Sequence, residues 1–114
     1  MHELSIASSI MGIVLESVPS NEEKHVKIVR VKVGELTAVV PESLEFCFEA
    51  ITAGTPLEGA KLEIEHIGIT GKCKECGGVF KVASLTFYCQ YCNSPNIEII
   101  SGNELQVSEI ETED

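Results

Sequence analysis

Two Cys-x2-Cys pairs, Cys73-Lys74-Glu75-Cys76 and Cys89-Gln90-Tyr91-Cys92, flank residues 77–88 of this 114-residue chain. Each pair can turn two thiolates toward one point, and two facing pairs supply the tetrahedral all-sulfur cage that Zn2+ prefers. No other feature restricts the fold so tightly, because four ligands on one ion tie separate turns into one lobe. Cys73, Cys76, Cys89 and Cys92 are therefore the candidate zinc ligands. The same thiols could hold iron in a rubredoxin-like site, and Cys76-Gly77 resembles the turn of such knuckles. Disulfide pairing is the third alternative. The chain opens Met1-His2-Glu3 without a basic-then-apolar leader. A secreted, disulfide-forming chain is thus not expected, and a cytoplasmic location is. A closed cage of four thiolates leaves no open coordination position, which points to a structural metal rather than a catalytic one.

The charge balance narrows the partners. The net charge is −10, whereas nucleic-acid binding relies on clustered Lys and Arg. A nucleic-acid-binding zinc ribbon is disfavoured on that ground. No apolar run is long enough for a membrane span. The acidic end, Glu109-Ile110-Glu111-Thr112-Glu113-Asp114, reads as a solvated, partly frayed tail, with a docking tail for a basic partner as the alternative.

The rest of the chain reads as an α/β (α+β) fold: two helices packed on a small mixed β-sheet, with an inserted four-cysteine, zinc-ribbon-like lobe. The first eighteen residues form an amphipathic pattern through Leu4, Ala7, Met11, Val14, Leu15 and Val18, with Ile10 beside them. Pro19-Ser20-Asn21 ends that helix. His25 to Val33 reads as a strand whose phase changes between Ile28 and Val29, which predicts a bulge there or burial of both faces. Pro41 opens a second helix with the stripe Leu44, Cys47, Phe48 and Ile51, closed at Gly54. Lys61–Ile67 is a second strand, with Leu62 and Ile64 inward. After the cysteines, residues 97–100 and 104–110 return as strands, the latter with Leu105 and Val107 on one face. The expected division is residues 1–70 together with 97–114 in one domain and 71–96 in the metal lobe.

Few other residues suggest chemistry. No Gly-rich phosphate loop and no hydrolase nucleophile motif is present, so an enzyme is not expected. Cys47 lies on an apolar stripe and reads as a core thiol. His25 and His66 read as sheet residues. His2 differs by its position. The α-amine of Met1, the His2 amide nitrogen and the imidazole Nδ1 can close adjacent chelate rings. The Glu3 amide or carboxylate, or a group from elsewhere, would complete them. Nitrogen-rich square-planar coordination suits Ni2+ or Cu2+.

Met1-His2-Glu3-Leu4 opening an amphipathic helix resembles the HypA/HybF family of hydrogenase nickel-maturation proteins. So do Gly34-Glu35-Leu36, Pro41-Glu42-Ser43-Leu44-Glu45-Phe46, Gly54-Thr55 and the two cysteine pairs in that order. The resemblance covers nearly the whole chain. It implies a small metallochaperone with a transferable Ni2+ held by His2, Glu3 and the Met1 amine, and a structural Zn2+ held by the four cysteines. The implied partners are a nickel-handling maturation GTPase and the large subunit of a [NiFe]-hydrogenase, with a second copy of the chain as a further candidate. Some relatives also serve urease. Relatives with a longer zinc lobe carry extra histidines there, and this chain has none between its cysteine pairs. Protons compete with nickel for an amine and an imidazole, whose reference pKa values are about 7.7–8.0 and 6.5. Nickel affinity is therefore expected to fall as pH drops. The alternative reading is a zinc-stapled interaction module with no transferable metal and His2 as a bystander.

Overall fold

The computed structural model describes residues 2–83 and 85–113. Helix α1 (Glu3–Ser17) buries Ala7, Ile10 and Val14, and Ile6, Met11 and Val18 pack at the edges of that stripe. Leu4 and Leu15, expected on the buried stripe, are 57% and 36% exposed. The apolar positions of α1 outline two neighbouring stripes, and packing against the second helix and the sheet selects the one through Ile6 and Ile10. Val18 is extended ahead of Pro19, as sterics before proline favour. A 3-10 helix (Ser20–His25) follows, so His25 closes that helix and the strand begins one residue later.

Strand β1 (Val26–Gly34) is the centre of the first sheet. Val29, Val31 and Val33 are fully buried. β-branched residues fit such a pleated, packed surface. Helix α2 (Pro41–Thr52) has its proline in the first turn and buries Leu44, Phe48 and Thr52. Gly54 takes the left-handed φ of +78° just past its end, a conformation that glycine adopts without Cβ strain. The chain then returns as β2 (Lys61–Ile67), parallel to β1 with Val29 opposite Leu62 and Val31 opposite Ile64. A parallel neighbour needs a crossover, and α2 provides it.

The second sheet is β4-β3-β5, built from β3 (Thr70–Cys73), β4 (Val79–Lys81) and β5 (Ile97–Ser101). It takes in Thr70 and residues 97–101 as well as the cysteine segment. Ile69, Cys73, Phe80, Val82 and Cys89 form its own core, flanked by Phe87, Ile97 and Ile99. The last strand, β6 (Leu105–Thr112), rejoins the first sheet antiparallel to β1, giving the order β2-β1-β6. That mixed sheet, with α1 and α2 over one face, matches the expected α+β fold. Register shifts fall between Val26 and Ile28 and between Arg30 and Val31. The first lies just upstream of the Ile28-Val29 step where a bulge is expected, and that step itself pairs in register with both neighbouring strands. The second places an extra residue of β6 at Ser108 and sets Ile110 inward with Val107. Leu105 shares the face of Val107, as expected, opposite Val33, and is 43% exposed.

The acidic end is not a frayed tail as far as the described residues reach. Glu109 and Glu111 both ion-pair with Arg30 at 2.9 Å, and Glu63 from β2 joins at 3.1 Å. The Glu113 N–H donates to the His25 carbonyl at 2.8 Å. Arg30 sits on the face of β1 opposite the helices, where it draws both flanking strands to one guanidinium. Asp114 lies outside the described residues.

The lobes meet backbone to backbone. The Leu36 N–H donates to the Gly102 carbonyl at 2.7 Å, and the Gly34 N–H to the Glu104 carbonyl at 2.8 Å. A Cβ on Gly34 would collide with the Gly102 carbonyl. The molecule measures 55 × 24 × 17 Å with a radius of gyration of 17.6 Å. A compact domain of this length would have a radius near ~13 Å, so two cores lie in line rather than sharing one.

Candidate metal centres

The two cysteine turns are near copies. In the first, the Cys73 Sγ accepts the N–H groups of Glu75 and Cys76, both at 3.4 Å. In the second, the Cys89 Sγ accepts those of Tyr91 at 3.3 Å and Cys92 at 3.4 Å. The Gly77 N–H closes the first turn on the Cys73 carbonyl at 2.9 Å, and the Asn93 N–H closes the second on the Cys89 carbonyl at 2.8 Å. Both closing residues are left-handed, Gly77 at φ +78° and Asn93 at φ +66°. Glycine and asparagine tolerate that region best. The Cys-Gly step is visible in the sequence, and Cys92-Asn93 is its less conspicuous equivalent.

The four Sγ atoms lie within 4.8 Å of one another. Cys73 and Cys92 approach to 3.6 Å, and Cys76 and Cys89 to 3.5 Å. A tetrahedron with Zn–S bonds of about 2.3 Å has S···S edges of about 3.8 Å, whereas a disulfide needs about 2.05 Å. All five cysteines are free thiols. The arrangement brings together all four expected zinc ligands and fits a metal cage rather than cross-links.

Their surroundings divide the thiols into two kinds. The Cys76 N–H, followed by opposing burial and the Glu75 N–H, holds the Cys73 thiol below its ordinary range. Burial pushes Cys89 up, but the N–H groups of Cys92 and Tyr91 and two neighbouring thiols together hold it down at about 6. The Ser94 N–H lowers Cys92, yet the Cys73 thiol, burial and the other two thiols raise it to about 12. Cys76 is raised, the Cys89 thiol, burial and Cys73 outweighing the Gly78 N–H. Each turn thus holds one buried sulfur whose thiol is lowered and one exposed sulfur whose thiol is raised.

Tyr91 braces the second turn, a role that no spacing in the sequence reveals. Its ring meets Phe80 edge to face at 6.2 Å, and its hydroxyl donates to the Val79 carbonyl at 3.3 Å. Any side chain at Gly78 would strike that ring.

At the other end, Met1, the expected amine donor, lies outside the described residues. His2 is exposed and occupies the cap position before α1. The first internal bond of the helix runs from the Ile6 N–H to the His2 carbonyl at 3.1 Å. Helix geometry therefore provides no acceptor for the His2 and Glu3 N–H groups. The Glu3 carboxylate accepts the Val40 N–H at 3.1 Å. That bond, then the residue's own N–H, holds the Glu3 carboxyl below its ordinary range. Among the described residues, the cysteine cage is the only group of three or more His, Cys, Asp or Glu side chains placed to hold an ion. His25 is half-buried, His66 is exposed on β2, and Cys47 packs against the first core.

Likeness to known proteins extends over the whole chain. The family model described as hydrogenase/urease nickel incorporation, metallochaperone, hypA matches residues 1–112. The hydrogenase maturation factor HypA of Desulfatibacillum aliphaticivorans is 45% identical over 115 aligned residues, covering 100% of this chain and 88% of its own. That of Desulfosudis oleivorans is 43% identical, covering 97% of each chain. The solution structure of the Ni metallochaperone HypA from Helicobacter pylori aligns with a TM-score of 0.68 at 30% identity, over 98% of this chain and 97% of that one. Sequence, fold and cysteine cage agree, and the chain belongs to the HypA family of hydrogenase/urease nickel-incorporation metallochaperones.

Proposed function

We propose that this chain carries Ni2+ at its N-terminal end and delivers it during the maturation of [NiFe]-hydrogenase, in the cytoplasm and without catalysing a reaction. The carrying observation is the start of α1. The helix leaves the His2 and Glu3 amide nitrogens without helical acceptors, the Glu3 N–H meeting its own carboxylate instead; in this reading they join the Met1 amine and the His2 imidazole as nitrogen donors. Relatives named as hydrogenase maturation factors and as a Ni metallochaperone support the direction of transfer. In this reading the recipient is the hydrogenase large subunit, reached with a nickel-handling GTPase, and urease is a second destination. Copper binds such nitrogen sites more tightly than nickel in general, so partner contacts and metal supply must contribute to selectivity.

Cys73, Cys76, Cys89 and Cys92 would hold Zn2+, whose closed thiolate shell supplies structure and leaves no position for a substrate. The exposed cage end, with Cys76, Tyr91 and Cys92, becomes a fixed surface for partners.

Calorimetric titration of the zinc-loaded protein with Ni2+, beside His2→Ala, tests the proposal. Wild type should bind one equivalent, with affinity falling from mildly alkaline to mildly acidic buffer as protons compete for the amine and imidazole. His2→Ala should lose at least about tenfold in affinity, one chelate ring being removed. Equal binding by both favours the rival reading, a zinc-stapled interaction module. The engagement of the Glu3 carboxylate by Val40 is the observation that keeps this rival in view.

A further inference from the structure

Helix α2 has no side-chain cap of its own. Its cap position is Val40, and no capping side-chain bond is made from its own first turn. Valine is among the poorest residues there. In a capping box, a Glu or Gln at the third helical position reaches back to the N–H of the cap residue. Here that position is Ser43, and the cap N–H instead meets the Glu3 carboxylate of α1 at 3.1 Å. The carboxylate also faces the positive end of the α2 dipole. The missing part of one helix's cap is therefore supplied by the first residue of another.

We propose that Glu3 is a positioning residue for nickel: its carboxylate caps α2 through the Val40 N–H, pins the start of α1, and so presents the backbone nitrogens of His2 and Glu3 to the metal without itself being a ligand. The proposal deepens the nickel reading and rests on it for its metal. The cap itself can be measured without nickel. Val40 can lose its donor with little strain, because its backbone (φ −87°, ψ 111°) lies close to what proline adopts.

The experiment compares zinc-loaded wild type, Glu3→Gln, Glu3→Ala, Val40→Pro and His2→Ala in two measurements. In nickel-free buffer, amide hydrogen exchange of residues 4–7 and 42–45 reads the cap. In a Ni2+ titration, affinity and the ligand-field absorption read the site. Glu3→Gln keeps an acceptor, so exchange should stay near wild type and affinity within about threefold, a neutral acceptor being weaker than a charged one. Glu3→Ala and Val40→Pro should both speed exchange in the two first turns. Both should weaken nickel by about tenfold, as loss of one charge-assisted hydrogen bond corresponds to, with the absorption spectrum unchanged.

A changed spectrum in both Glu3 variants, with Val40→Pro binding like wild type, would make the carboxylate a ligand and overturn the proposal. Wild-type exchange in Glu3→Ala and Val40→Pro would overturn it as well. Nickel binding by His2→Ala equal to wild type would instead sink the nickel reading, and with it the role of the cap in metal binding.

Discussion

Cys73 and Cys89 each rest on two inward N–H groups, while Cys76 and Cys92 are exposed and raised, Cys92 to about 12. Zinc binding in this cage would release protons from thiols, the raised Cys76 and Cys92 among them. Protons and zinc compete for the same sulfurs, so lowering the pH favours the metal-free cage. Competition with a chromophoric chelator should show zinc affinity falling steeply from mildly alkaline to mildly acidic buffer, with proton release on binding in weakly buffered solution. The cage was legible at this scale because ligand spacing is local chemistry. Asn93 and Tyr91 were not, since a left-handed turn and a ring brace depend on what the neighbouring turn and β4 place beside them.

At the scale of elements, periodicity located both helices and most strands but not always their faces. Leu4 and Leu15 are as apolar as Ile6 and Ile10, and only the position of α2 and the sheet decides between the two stripes. Acidic residues 109–113 looked like a tail because their partner, Arg30, is distant in sequence. Strands β3 and β4 are short, too short for alternation to declare them, whereas the apolar run at 97–100 marked β5. The junction between sheets was invisible for a related reason, since close approach of Gly34 to Gly102 is a tertiary fact. It makes a contrast in thermal unfolding. Gly34→Ala should destabilise by about 3 kcal/mol or shift the junction, because backbone atoms of Gly102 and Asn103 stand where the methyl group must go. Gly12→Ala in α1, with nothing within 4 Å of the added carbon, should stabilise by about 0.5–1 kcal/mol.

The whole molecule is two cores in line, and they differ in what sustains them. Around α1, α2 and the first sheet lie a dozen buried apolar side chains, enough to persist without metal. The second core has five buried residues, and two of those are cage cysteines. Structural zinc contributes about 10–16 kcal/mol in small zinc peptides, so this lobe should depend on it. Strong chelation, or Cys73→Ala, should unfold residues 70–101 while amide protection in α1, α2 and β1 persists. Cooperative loss of both lobes would mean that the backbone junction at Gly34 and Gly102 fuses them into one folding unit.

In the proposed function two metals occupy opposite roles at separate places: zinc closed in the cysteine cage, nickel on the N-terminal nitrogens. Native mass spectrometry of wild type, His2→Ala and Cys73→Ala, each supplied with both metals, tests it most directly. The expected result is one zinc and one nickel on wild type, zinc alone on His2→Ala, and nickel but no tightly held zinc on Cys73→Ala. Nickel retained in full by His2→Ala, or lost only with the cysteines, would contradict it.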